Sequence, residues 1–160
     1  MTQLSTTAAV HAPLARVWET IADVGTIAEW HPGVEHSPVL STQRSGLGAV
    51  RRVELYDGSS SVEEVTSLEE GRSLSVTMSD HTMPLSRGVA TFALEPDGDD
   101  RTLVTMTMDY DMKYGPLGWL MNAVMLKPII GKLLVSVVSG LDHHLVTGER
   151  IEKGWAPSQA

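Results

Sequence analysis

The chain has no cysteine among its 160 residues. That absence excludes a disulfide framework, a thiolate nucleophile and a zinc-thiolate site. Positive charge is also scarce, with 12 Lys and Arg against 20 Asp and Glu and a formal net charge of -8. Such a surface repels phosphate backbones, and no cluster of Lys and Arg interleaved with aromatics offers a compensating groove, so no nucleic-acid partner is expected. The most apolar stretch, Val124 to Leu145, is interrupted by Lys127, Pro128 and Lys132. Its uncharged run falls short of the roughly 20 residues that cross a bilayer, and no transmembrane segment is expected. Residues Met1 to Val10 have neither a basic region nor an apolar run of the secretory kind, which makes the cytoplasm the expected location.

The usual strings of catalytic and metal-binding chemistry are missing as well. There is no HExxH and no Gly-x-Ser-x-Gly elbow. Gly46-x-Gly48 precedes an alternating segment, so it lacks the helix N-terminus that a dinucleotide phosphate needs and reads as a turn. His143 and His144 are neighbours on a helical pattern and diverge by about 100°, so they cannot hold one ion from one face. His31 and His36 lack the spacing and carboxylate context of a zinc site. No metal and no cofactor are expected.

What remains is an ordinary globular composition, 42% hydrophobic and 20% charged, at a length near the commonest for one domain. The reading is a single domain over residues 1–153, followed by a loose tail over 154–160. A strand at Leu4–His11 stops at Ala12-Pro13, where proline can open a helix. Val17, Trp18, Ile21 and Ala22 recur at helical spacing until Gly25, and a second short helix holds Ile27, Ala28 and Trp30 before His31-Pro32-Gly33. The period then switches to alternation, with strands expected at Val34–Ser41, Ala49–Tyr56, Ser61–Leu68, Ser73–Asp80, Leu85–Glu95 and Thr102–Met112. Gly- and Asp-rich turns such as Asp57-Gly58, Glu70-Gly71 and Asp97-Gly98 join them as a meander of hairpins. After Gly115-Pro116 a short helical segment carries Leu117, Leu120, Met121, Val124 and Met125. Pro128 then opens a final helix to about Arg150, whose wide stripe of Ile130, Leu133, Leu134, Val137, Val138, Leu141 and Leu145 calls for burial. The economical packing is an α+β fold in which a curved seven-stranded antiparallel sheet wraps the long C-terminal helix, with two short helices between strands 1 and 2.

That order of elements carries Ala12-Pro13-x-x-x-Val17-Trp18 before the first helix, Trp30-His31-Pro32-Gly33-Val34 after it and Gly48-Ala49-Val50-Arg51 opening a strand. Over roughly residues 4 to 151 it resembles the START-like (SRPBCC) superfamily with its helix-grip fold. Val62-Glu63-Glu64-Val65-x-x-Leu68-Glu69, and Gly140-Leu141 through Thr147-Gly148-Glu149, are similar to the polyketide cyclase/dehydrase group within it. The resemblance implies an internal cavity for lipids, polyketides or other apolar molecules and specifies no reaction.

The resemblance also implies polar cavity residues on the third and fourth strands, matched here by Arg51 and Glu63. A guanidinium can polarise a carbonyl or hold an enolate while a carboxylate moves a proton, where water is scarce. The alternative is a cross-strand ion pair facing solvent. Alternation puts Arg51 and Arg52, and Glu63 and Glu64, on opposite faces, and leaves open which member of each pair points inward. Where enzymes of the family carry aromatics on the following strands, this chain has Val76 and Met106, and phenylalanine occurs once. That departure favours a smooth cavity lined by Leu74, Val76, Met78, Val89, Phe92, Met106, Met108 and Tyr110 and closed by Leu134, Val138 and Leu141 of the last helix. The thioethers would adapt to an irregular ligand, or simply fill the core. Trp30 and His31 fall near a cavity mouth, and His81 and Met83 at its rim.

Three functions are then in play. The first is binding or transport of a hydrophobic small molecule; the second is a cyclase or dehydratase using Arg51 and Glu63 as acid-base pair; the third is a protein-protein interaction module. The chain is expected to be a monomer or a homodimer, with the apolar residues around Trp119 and Met121 serving as a dimer face or as a cap on the cavity.

Overall fold

The computed structural model describes residues 1–158, and the last two residues of the expected tail lie outside the described residues. Seven strands form one antiparallel sheet in the order β1-β7-β6-β5-β4-β3-β2. They are β1 (Thr2–Val10), β2 (Val34–His36), β3 (Val50–Leu55), β4 (Ser60–Glu69), β5 (Ser73–Ser79), β6 (Leu85–Pro96) and β7 (Thr102–Met112). Between β1 and β2 run α1 (Leu14–Ala22), a 3-10 turn (Val24–Thr26) and the one-turn α2 (Ile27–Trp30). The chain ends in α3 (Gly115–Met121), a π-helical turn (Asn122–Leu126) and α4 (Lys127–Thr147). The helix-grip architecture read from the sequence is the one observed.

Two expected elements differ. The second strand stops at His36, well before Ser41, because Pro38 follows and has no N–H to give a ladder; only an isolated bridge from Val39 to Arg51 continues the pairing. The expected break at Pro128 does not occur either. Proline 128 removes one N–H from the helical ladder, and the chain absorbs the loss by widening the preceding turn, where the Lys127 N–H reaches Asn122 O five residues back. The result is a continuous helix over Gly115–Thr147, 33 residues long and apolar enough by length and composition to span a membrane. Its C-terminal half is instead the core helix of the fold: Leu134, Val137, Val138, Leu141 and Leu145 are buried there, and it packs against β1, β7 and α2. Gly148, in the left-handed region at φ 73°, ends it.

Alternation sorts the sheet into an inner apolar face and an outer one carrying cross-strand hydroxyl pairs, such as Thr7 with Thr105 and Ser75 with Thr91, each at 2.8 Å. The short helices close the remaining side. Here α2 meets α4 backbone to backbone: a Cβ on Gly140 would lie 2.4 Å from the Trp30 carbonyl oxygen and 3.1 Å from the Pro32 ring. Gly140→Ala is therefore expected to cost about 1–3 kcal/mol through forced separation of the two helices, checked by urea unfolding. Past α4 the chain turns back, with the Ile151 N–H donating to Glu29 O at 2.8 Å and the Trp155 ring resting on His143 at 5.5 Å.

Candidate ligand pocket

Between the inner face of the sheet and the first turns of α4 lies a cavity of about 110 Å³. Its walls are apolar except at one end, where His31, Arg51, Ser61 and Glu63 meet. All four are at most 8% exposed.

The polar end follows from register. β3 and β4 pair Arg51 directly with Glu63 and Val53 with Ser61, so these residues share the inner face, while Arg52 and Glu64 stand on the outer one. The guanidinium donates from Nε at 2.8 Å and from Nη2 at 2.6 Å to one oxygen, Glu63 Oε2. Its Nη1 donates to the Val24 carbonyl at 3.3 Å. Glu63 Oε1 has no hydrogen-bond partner among the described residues and is left for whatever enters the cavity. Buried pairs of this kind seldom stabilise more than well-packed apolar side chains would, because both charges lose their water.

His31 completes this end. Its Nδ1 accepts the Gly33 N–H at 3.0 Å, which in the neutral ring leaves the proton on Nε2. Burial, reinforced by the neighbouring Arg51 charge, lowers its pKa to about 4. The folded protein thus holds His31 neutral at pH 7. An unfolded chain takes up this proton near pH 6.5, so the contribution is complete above that pH and is lost as pH falls towards 4. At about 1.4 kcal/mol per pH unit, the loss attributable to His31 is expected to reach about 3 kcal/mol. Unfolding free energies of the native chain and of His31→Gln across this range check it, the variant showing the shallower slope.

The apolar walls come from both layers. β5, β6 and β7 contribute Val76, Met78, Ala90, Phe92, Met106 and Met108, and α4 contributes Ile130, Leu133 and Leu134. Gly88 makes room for two of the thioethers: a Cβ there would lie 3.2 Å from Met78 Sδ and 3.3 Å from Met108 Cε. The rim is formed by Met83, on the loop after β5, and by Leu133, which is 38% exposed.

Of the side chains expected to touch ligand, His31, Val76, Met78, Met83, Met106, Met108 and Leu134 line this cavity, as do Arg51 and Glu63. The others lie elsewhere. Trp30 is behind the wall, donating its indole N–H to Thr26 Oγ1 at 3.1 Å and setting its ring edge-on to Phe92 at 5.8 Å. Val89 faces the opposite side of the sheet, paired with Thr77 and Asp109, because Gly88 and Ala90 take the inward positions of β6. Tyr110 points inward beyond the cavity, where its hydroxyl donates to Asn122 Oδ1. Val138 and Leu141 lie further along α4, sealed in the core. His81 spends its Nδ1 on the Met83 carbonyl at 3.2 Å. Sequence reasoning missed Ile27, Val53, Leu55, Ser61, Leu85, Ala90, Ile130 and Leu133. Ser61 was within reach of the period-two rule, being two residues before Glu63 on the same strand.

A larger hollow of about 600 Å³ beside β1 and α4, bounded by His11, Asp142 and Trp155, is open surface and has no comparable buried polar end among the described residues.

The comparisons agree with this picture. Residues 1–142 match the family model described as polyketide cyclase/dehydrase and lipid transport. A search of curated proteins finds no match by sequence. Among solved structures, a Thermobifida fusca protein studied by solution NMR is 22% identical, with a TM-score of 0.72, covering 99% of this chain and 100% of its own. A START superfamily protein from Mycobacterium smegmatis is 17% identical, with a TM-score of 0.70 over 89% of this chain and 98% of its own. An aromatase/cyclase from a Streptomyces species is 18% identical, with a TM-score of 0.68 over 92% and 97% respectively. Likeness at these identities speaks for the fold.

Proposed function

We propose that this chain, which belongs to the polyketide cyclase/dehydrase and lipid-transport family, binds a hydrophobic small molecule that carries one hydroxyl or carbonyl group, with that group at the Arg51–Glu63 end of the cavity. The observation that carries the reading is an apolar cavity whose one polar end, among the described residues, is a buried, internally neutralised Arg51–Glu63 pair that leaves Glu63 Oε1 free to accept a hydrogen bond. Such a wall orients a ligand without demanding that it be charged. At about 110 Å³ the space is smaller than the apolar cavity of about 150 Å³ that takes up benzene, so a single ring is the largest rigid group that enters with only small movements of the walls. Larger ligands require Met78, Met83, Met106 and Met108 to swing aside, which unbranched thioethers do at little cost.

Phenol and toluene, nearly equal in shape, test this by calorimetry. Phenol is expected to bind with unit stoichiometry and at least about tenfold more tightly than toluene, because only phenol satisfies the polar wall. Ala90→Leu, which fills the cavity from β6, is expected to abolish both. Unchanged phenol binding by that variant would refute the reading.

A second reading, acid-base catalysis, draws on the same spare oxygen. Glu63 Oε1 would take a proton from the carbon next to a ligand carbonyl while the electron pair moves to an oxygen held by Arg51 or by the His31 Nε2–H. Acetophenone in D2O decides between the two readings. Protein-dependent exchange of its methyl protons that vanishes in Glu63→Gln supports catalysis, and binding without exchange leaves the cavity a binding site.

A further inference from the structure

We propose that the N-terminal part of the long helix, Gly115–Ile129, is a docking surface for a bilayer carrying anionic headgroups. The segment Gly115–Ile129 touches the body of the protein along a single line, at Gly118, Asn122 and Leu126. A Cβ on Gly118 would lie 1.9 Å from the Lys113 carbonyl oxygen, and Asn122 donates its side-chain amide to Thr2 at 3.0 Å. Most of the rest of the surface is exposed where a water-facing helix would be polar. Leu117, Trp119, Leu120, Val124, Met125 and Ile129 are 53% to 70% exposed. Scattered apolar residues on a surface need no explanation, but six between Leu117 and Ile129 do.

Charge selects the occupant. Three of the four lysines, Lys113, Lys127 and Lys132, lie in or beside this segment, and no Asp or Glu occurs between Asp111 and Asp142 in a chain of net charge -8. A second copy docked through the same patch in a two-fold manner would bring both sets of lysines together with no carboxylate in the patch to pair them. A bilayer surface answers both features at once, with acyl chains for the apolar side chains and anionic headgroups for the lysines. Tyr114 and Trp119, 67% and 69% exposed, are side chains of the kind that settle at headgroup level. Docking is peripheral, because the remainder of the long helix is core. Leu133 stands both at the cavity rim and at the end of this surface, so the rim would face the lipid. The docking surface itself does not depend on what fills the cavity.

The full chain is tested by sedimentation with phosphatidylcholine vesicles, with and without about one third phosphatidylglycerol. At least about tenfold stronger partitioning to the anionic vesicles is expected, with a blue shift of Trp119 fluorescence and loss of the preference in high salt. Leu120→Glu with Val124→Glu, both exposed, is expected to remove vesicle binding and leave phenol affinity unchanged. Lys127→Glu with Lys132→Glu is expected to remove the preference for anionic lipid. Ala90→Leu is expected to bind vesicles like the native chain, which separates this proposal from the cavity reading. No vesicle binding would overturn the proposal. So would light scattering that shows a dimer which Leu120→Glu with Val124→Glu dissolves, since the occupant would then be a second copy.

Discussion

Glu63→Leu is expected to lower the unfolding free energy by about 3–5 kcal/mol, and the double variant Arg51→Met with Glu63→Leu to recover most of that loss. The reasoning is electrostatic. Arg51 is 3% exposed, and two of its N–H groups are directed to one Glu63 oxygen at 2.6 and 2.8 Å. Removing the carboxylate leaves a buried guanidinium with only the Val24 carbonyl as partner among the described residues. Removing both charges exchanges two desolvated ions for apolar volume, a trade that is often neutral. Urea unfolding at pH 7 reads both variants. A single variant that costs under about 1 kcal/mol would mean that the pair is solvated and the cavity wet.

Trp30→Ala is expected to cost about 3–5 kcal/mol, a large share of the 5–15 kcal/mol typical of a domain. The indole is 1% exposed, stands edge-on to Phe92 and holds Thr26 Oγ1 through its N–H. Its neighbours cannot collapse into the space, because α2 already touches α4 at Gly140. Since Phe92 forms part of the cavity wall, phenol affinity should fall together with stability. Thermal unfolding and calorimetry on the same sample check both effects.

These two sites also mark how far the sequence could be read. Architecture was legible because it rests on period: alternation from Val50 to Met112 and the Ile130–Leu145 stripe leave little choice of layers, and Gly/Asp turns fix the meander. The inward direction of Arg51 and Glu63 was not legible. Alternation makes Arg51 and Arg52 equivalent until the β3–β4 register and the position of the helix choose between them. Val89 shows the same ambiguity with the opposite outcome, one residue out of phase with Gly88 and Ala90. Trp30 was recognised as important and placed at the mouth, because adjacency to His31 in sequence says nothing of adjacency in the wall. The two diverge at the end of α2, one into the core and one to the cavity. The continuous helix through Pro128 escaped because proline is read as a break, and only packed coordinates reveal a π turn that absorbs it.

The central claim, that apolar molecules enter between sheet and helix, is tested most directly by the methionine methyl groups. Met78, Met83, Met106 and Met108 line the cavity, whereas Met1 lies on the surface and Met121 and Met125 belong to the helix that precedes α4. In a chain carrying 13C-methyl methionine, titration with phenol is expected to shift the four cavity signals together and leave Met1, Met121 and Met125 in place. Shifts confined to Met121 and Met125 would contradict the account, because the ligand would then sit on the outer helix and the cavity would be closed core.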